Sequence, residues 1–213
     1  MKKYHILKTI IYISGILTIA LGINILIAST LGLGAWDTVA YNLSVLVNIS
    51  VGTASAIVNV LVLLFVISFR RKLKYFSILL PIFGLAFAID FWNIFVFEDI
   101  VLTLFWVKLL FFIVGSFTIT LGLALMMIST YPAMVYEELT LVMMRHLGVK
   151  KFFTMRIMIE LFAIILAINI GFIAGIEFGA VNIGSFVLAI VIGPIISFHL
   201  HWLSKVFKFL KTS

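Results

Sequence analysis

Apolar residues run along this chain in long blocks separated by brief polar interruptions. Five blocks are clear, at about 9–29, 51–69, 75–97, 101–128 and 152–170, and a sixth covers about 183–203. About 20 apolar residues make a helix that crosses roughly 30 Å of hydrocarbon, so each block predicts a membrane-crossing helix. Two further blocks, about 35–48 and 134–147, hold only 14 residues each. They are short for crossings and suit broken or re-entrant half-membrane helices. The chain reads as an all-α polytopic membrane protein, a single membrane domain over residues 1–213 with short loops.

The blocks repeat. Residues 15–30, GILTIALGINILIAST, lie over 115–130, GSFTITLGLALMMIST, at a constant offset of 100, and seven of sixteen positions are identical. Matched leucines mean little between apolar helices; matched Gly, Ser and Thr mean more. The same offset sets Trp36 over Tyr136 and Asp37 over Glu137. This predicts an internal duplication, with repeat 1 at about 6–97 and repeat 2 at about 101–204. Gly15, Thr18 and Gly22, like Gly115, Thr118 and Gly122, are spaced i, i+3, i+7 and form one small-residue stripe per helix. Such stripes let two membrane helices approach closely. The two symmetry-related helices are the first candidates for partners, and a second subunit is the alternative.

Between the long and short blocks stand LGLGAWD (31–37) and TYPAMVYEE (130–138). Non-helical backbone at membrane depth is tolerated only where protein or water covers its polar groups. Gly32 and Gly34 permit a sharp break and a close backbone approach; Pro132 interrupts the second half by blocking a helix bond. A short helix then begins near Trp36 or Asp37, and near Tyr136 or Glu137. An acid there suits the positive end of a helix. Asp37 and Glu137 are therefore read either as caps of broken helices or as a paired site lined by Trp36 and Tyr136. The two readings are compatible.

Composition sharpens the class. The chain is 64% hydrophobic and 11% charged, with a mean hydropathy of +1.32; soluble domains are nearer half apolar and a quarter charged. The absence of cysteine removes disulfides, thiol catalysis and cysteine-ligated metals. The net charge of +7 comes from residues that flank spans, which indicates topology and anionic lipid rather than nucleic acid. Basic clusters fall at Lys2, Lys3 and Lys8; at Arg70, Arg71, Lys72 and Lys74; at Arg145, Lys150 and Lys151; and at Lys205, Lys208 and Lys211. If both short blocks are re-entrant, all four clusters and both termini lie on the cytoplasmic side, and Glu98, Asp99 and Glu177 lie outside. Eight full crossings would instead put the RRKLK loop outside. Three crossings per half is an odd number, so the second repeat would be inverted relative to the first, as in many transporters. The basic start MKKYHILKTII leads into an apolar run too long for a cleaved signal, and reads as an uncleaved first helix.

LGLGAWD, followed by NISVGTAS at 48–55, resembles the bacterial YczE-type membrane proteins, loosely related to the YitT group. That family shows a Gly-x-Gly-Pro-Trp-Asp element and then a Gly-Thr pair opening the next helix, here Gly52-Thr53. Its second half carries an Arg-x-x-x-Glu helix, here Arg156 and Glu160 in RIMIEL, and a Gly-Pro near the last span, here Gly193-Pro194. Ala35 stands where the family has Pro, and YPAMVYE replaces its second Gly-Pro-x-Asp loop. The resemblance covers nearly the whole chain. It implies a multi-pass protein of the bacterial cytoplasmic membrane and names no substrate.

Ionisable residues inside spans need a partner or a water-filled cavity. Asp90, in LAFAIDFWNIF, reads as a bond to a neighbouring helix or as part of a solute or proton pathway. Arg156 and Glu160, spaced i, i+4, share a helix face and read as an ion pair; Asp90 and Asp37 are other possible partners for Arg156. His199 and His201 are two apart, so they point to different faces and do not chelate together. No catalytic constellation, metal motif or cofactor motif is present, so neither an enzyme nor a cofactor is expected. Two functions fit. The first is a small-solute transporter or channel with its site at the paired breaks. The second is a non-transporting accessory protein of a larger membrane complex. The expected partners are the lipid bilayer and a small solute or proton, with a homo-oligomer or membrane partner subunit as a further option.

Overall fold

The computed structural model describes residues 2–71, 73–132 and 134–207, the side chains of 2–4, 73 and 74 excepted. Eight α-helices follow one another: α1 (Lys2–Ser29), α2 (Ala35–Val47), α3 (Val51–Arg70), α4 (Leu79–Trp92), α5 (Phe105–Ser129), α6 (Val135–Leu147), α7 (Phe152–Ile173) and α8 (Ile183–Val206). No strand occurs among the described residues. A 3-10 segment, Leu73–Ile78, leads into α4, and a π-helical segment, Asn93–Phe97, prolongs it. Six helices are long and apolar enough to cross a membrane: His5–Ser29, Val51–Arg70, Tyr75–Phe97, Phe105–Ser129, Phe152–Ile173 and Ile183–Val206. The fourth long apolar block starts at Val101, but its helix begins four residues later, at Phe105; hydropathy marks what is buried in lipid, not where backbone bonding starts. The end of the basic tail, and Lys72 of the RRKLK loop, lie outside the described residues.

At 13 residues each, α2 and α6 rise about 20 Å, against a hydrocarbon core of roughly 30 Å. Each ends on a left-handed residue, Asn48 at φ 57° and Gly148 at φ 69°.

The most extensive helix pairing joins α1 to α5. A Cβ placed on Gly15 would lie 2.9 Å from the Gly122 carbonyl oxygen, and one on Gly122 would lie 2.7 Å from that of Gly15. Gly22 and Gly115 face each other likewise, at 3.0 and 3.2 Å. As numbers rise along α1 they fall along α5, so the helices run antiparallel, glycine to glycine. Thr18 and Thr118 are half-buried beside this seam, and each donates its hydroxyl to the carbonyl four residues back, at 2.7 Å.

Both helices end in the same way. Ser29 and Ser129 donate to the carbonyls of Leu26 and Met126 at 2.6 Å, and each hydroxyl accepts the N–H two residues on, at 3.3 Å. Thr30 and Thr130 then turn left-handed. These bonds satisfy helix-end groups that lipid cannot. The first break is also stitched to the start of α8: the Leu31 carbonyl accepts from Gly184 N–H (2.9 Å), and Leu33 N–H donates to Ser185 Oγ (3.2 Å). Gly32, at φ 126°, allows this approach, because a Cβ there would lie 2.5 Å from Ser185 N. The second break receives the Tyr12 hydroxyl on the Pro132 carbonyl, at 2.9 Å.

Candidate functional site

Trp36 and Tyr136 occupy the first turns of α2 and α6, and their rings stack with centroids 4.9 Å apart and planes 17° apart. The N-termini of the two short helices therefore converge. A cavity of about 70 Å³ opens beside the stack. Besides Trp36 and Tyr136, it is lined by Asp37, Glu137, Arg156 and Glu160, with Asn59 of α3 and apolar residues such as Ile19 and Ile119. A water needs about 10–15 Å³ of such volume, so the space admits several waters or one small solute.

Arg156 lies between two acids. Its Nη1 is 3.3 Å from Glu137 Oε1 and its Nη2 is 3.7 Å from Glu160 Oε1. Asp37, from the other half of the chain, makes no hydrogen bond or ion pair among the described residues. Its carboxylate folds back over Gly34, where a Cβ would lie 2.6 Å from Oδ2. Neither short helix has a side-chain cap bond at its N-terminus. The two acids face their helix ends through the dipole, which carries roughly half a positive charge at each terminus. Three carboxyl groups thus meet one guanidinium and two helix termini.

The wall also carries unmatched polar atoms. Trp36 Nε1, Asn59 Oδ1 and Glu137 Oε2 are buried without a hydrogen-bond partner. One is a donor and two are acceptors, and buried polar groups left in this state are costly unless something fills the site. Asn59 was not singled out from the sequence. Its signal was there: a lone amide in the middle of the apolar run AIVNVLVLLF.

Asp90, Asn42 and His199 bond within the fold. Asp90 stands apart from the cavity. Its Oδ1 accepts from Gly52 N–H at 2.8 Å and its Oδ2 from the Ser50 hydroxyl at 2.6 Å, so it caps the start of α3. Gly52 makes this possible, since a Cβ there would strike the Ala86 carbonyl oxygen of α4. Asn42 also locks a helix in place: its amide donates to the Ala167 carbonyl (2.8 Å) and accepts from Ala180 N–H (2.9 Å), tying α2 to α7 and to the loop before α8. His199 is buried against the edge of Phe117, with Nδ1 3.1 Å from the Ile195 carbonyl, while His201 is exposed. Among the described residues, no three His, Asp or Glu side chains converge to hold a metal ion.

A protein similar to this chain is the uncharacterised protein YyaS of Bacillus subtilis. The two are 28% identical over 162 residues, which is 76% of this chain and 80% of YyaS. No solved structure matches. A family profile does match, over residues 6–201, and by that match the chain belongs to DUF6198, a family of unknown function.

Proposed function

We propose that this protein is a small-solute transporter or channel whose site is the cavity between the two breaks. The observation that carries the reading is Asp37, a carboxyl group in that cavity without a cationic partner among the described residues. The acidic surplus favours a cation, a protonated amine or a proton-coupled solute. A carboxyl of this kind inside a membrane protein is a natural proton carrier. The glycines of the two small-residue stripes face each other within the chain, so the stripes lend the accessory alternative no support.

The architecture supports the same reading. The offset of 100 relates the two halves in sequence, and α1 and α5 are antiparallel. Both support reading the halves as inverted repeats, the plan on which many transporters place a midplane site at the ends of broken helices. The likeness of LGLGAWD and RIMIEL to the YczE-type proteins adds the bacterial cytoplasmic membrane as the location. With basic loops inside, both termini are cytoplasmic.

Two experiments test this. The chain has no native cysteine, so single cysteines report cleanly. In intact cells an impermeant maleimide should label Glu98→Cys and spare Arg71→Cys and Lys150→Cys. Labelling of Arg71→Cys would mean that the short helices cross fully and the halves are parallel. The second experiment uses sealed vesicles containing purified protein, with methylammonium and proton movement followed by an internal pH dye. Asp37→Asn should slow the wild-type flux by on the order of a hundredfold, a typical cost of removing a proton-transfer group. An unchanged flux would remove Asp37 from the pathway, and a wild-type flux no faster than that of protein-free vesicles would end the cation reading.

A further inference from the structure

Beside the charged cavity lies a much larger hollow, a groove of about 670 Å³. Its lining is wholly apolar in residue type and comes from α2, α3, α6 and α7. Residues related by the offset of 100 line it together: Val39 and Leu139, Leu43 and Met143, Val58 and Met158. The groove is open on the side where Leu61 and Phe162 are each 60% exposed. In a chain whose exposed apolar faces lie against lipid, that opening leads into the bilayer. Its volume falls in the range of about 300–1,000 Å³ typical of organic-ligand pockets, which are mostly apolar with a few placed polar groups.

Trp36 lines both the groove and the charged cavity. The indole is the partition between them, and its N–H has no partner. An apolar slot open to lipid therefore ends, behind one aromatic ring, at three carboxyls and one guanidinium. A molecule complementary to both compartments has a hydrocarbon tail and a cationic head. An anionic lipid headgroup would be repelled by the same acids.

We propose that the ligand of this site is an amphiphilic amine, which enters sideways from the bilayer, lays its tail in the groove and places its ammonium among Asp37, Glu137 and Glu160 as Trp36 swings aside. The proposal rests on reading the cavity as a solute site, and its test separates the two ideas. Dodecylamine carrying a photoreactive diazirine at the tail end is compared with dodecanol and dodecanoic acid bearing the same group. The protein sits in phosphatidylcholine vesicles, so all three probes share one bilayer. The amine should label Leu61, Met158 and Phe162 on the order of tenfold more than the alcohol, the factor one charge-assisted contact supplies, and the acid should label least. Glu137→Gln combined with Asp37→Asn should bring the amine down to the alcohol's level. Leu61→Trp, which narrows the slot from an exposed position, should reduce labelling of Met158 and Phe162 by the amine.

Equal labelling by all three probes on the wild-type protein would overturn the proposal, because the groove would then be a surface wetted by any lipid tail. If methylammonium flux still depended on Asp37 in that case, the cavity reading would survive alone. If neither the flux nor the labelling responded to Asp37 and Glu137, both readings would fall.

Discussion

Gly122→Leu is expected to prevent this protein from reaching its folded state. Between membrane helices no hydrophobic force favours protein contact over lipid contact; close packing of small residues supplies the attraction. At Gly122 even a Cβ would lie 2.7 Å from the Gly15 carbonyl oxygen and equally close to the backbone nitrogen of Ile19. Both obstacles are main chain, which cannot rotate aside. A leucine would force α1 and α5 apart along the largest helix contact in the molecule. Overpacking a well-filled interior typically costs about 1–3 kcal/mol, and displacing two backbones puts this change at the top of that range or beyond. Gly193 is the matched control: it also lies inside a helix, but a Cβ there meets nothing within 4 Å. Gly193→Leu should leave stability unchanged or raise it slightly, since glycine is a poor helix former by about 1 kcal/mol. Monodispersity in mild detergent and the apparent melting temperature read both variants. Equal behaviour of the two would show that α1 and α5 do not depend on their glycine seam.

Arg156→Met is expected to have the second large effect. It would leave Glu137, Glu160 and Asp37 in one small cavity with no cation. Removing one member of a buried ion pair typically costs about 3–5 kcal/mol, because the remaining charge stays buried without compensation. The cost should therefore be recovered by neutralising the acids: Glu137→Gln and Glu160→Gln, added to Arg156→Met, should restore most of the lost melting temperature. A side chain that merely reached for the membrane surface would behave differently. Its loss would cost under about 1 kcal/mol, as for exposed pairs, and the two glutamines would rescue nothing. The triple variant thus distinguishes a charge network from a snorkelling arginine.

These expectations draw on features of unequal legibility in the sequence. The six long helices and the two short ones are readable because hydropathy and glycine act locally, at LGLGAWD as at the long blocks. The facing of the two glycine stripes was one of two options, since a stripe shows that something packs closely and not what. Contacts distant in sequence were harder. Glu160 was identified as a partner of Arg156 because i, i+4 spacing makes them neighbours. Glu137, nineteen residues away, has no such periodic relation and appears only once α6 folds back on α7. Asp90 offered a pathway role or a helix contact with equal force, and its two donors lie about forty residues upstream. Asn59 is marked only as a lone amide in an apolar run, which signals a polar need without naming its partner. The groove was invisible for a simpler reason: its lining residues are ordinary apolar side chains, mostly aliphatic, and a hollow is a property of their arrangement.

The glycine seam also constrains how this chain can change over generations. Gly15 touches Gly122 and Gly22 touches Gly115, so a larger residue at one position can persist only if its opposite number yields room. Glycine has no room to yield. The four positions are therefore held together as two interlocked pairs, and substitution should be slowest there, even though none of the four reaches the cavity. The acids around Arg156 drift under a looser rule, since charge can be rebalanced from either neighbour. In this molecule the least permissive residues are those that carry no side chain at all.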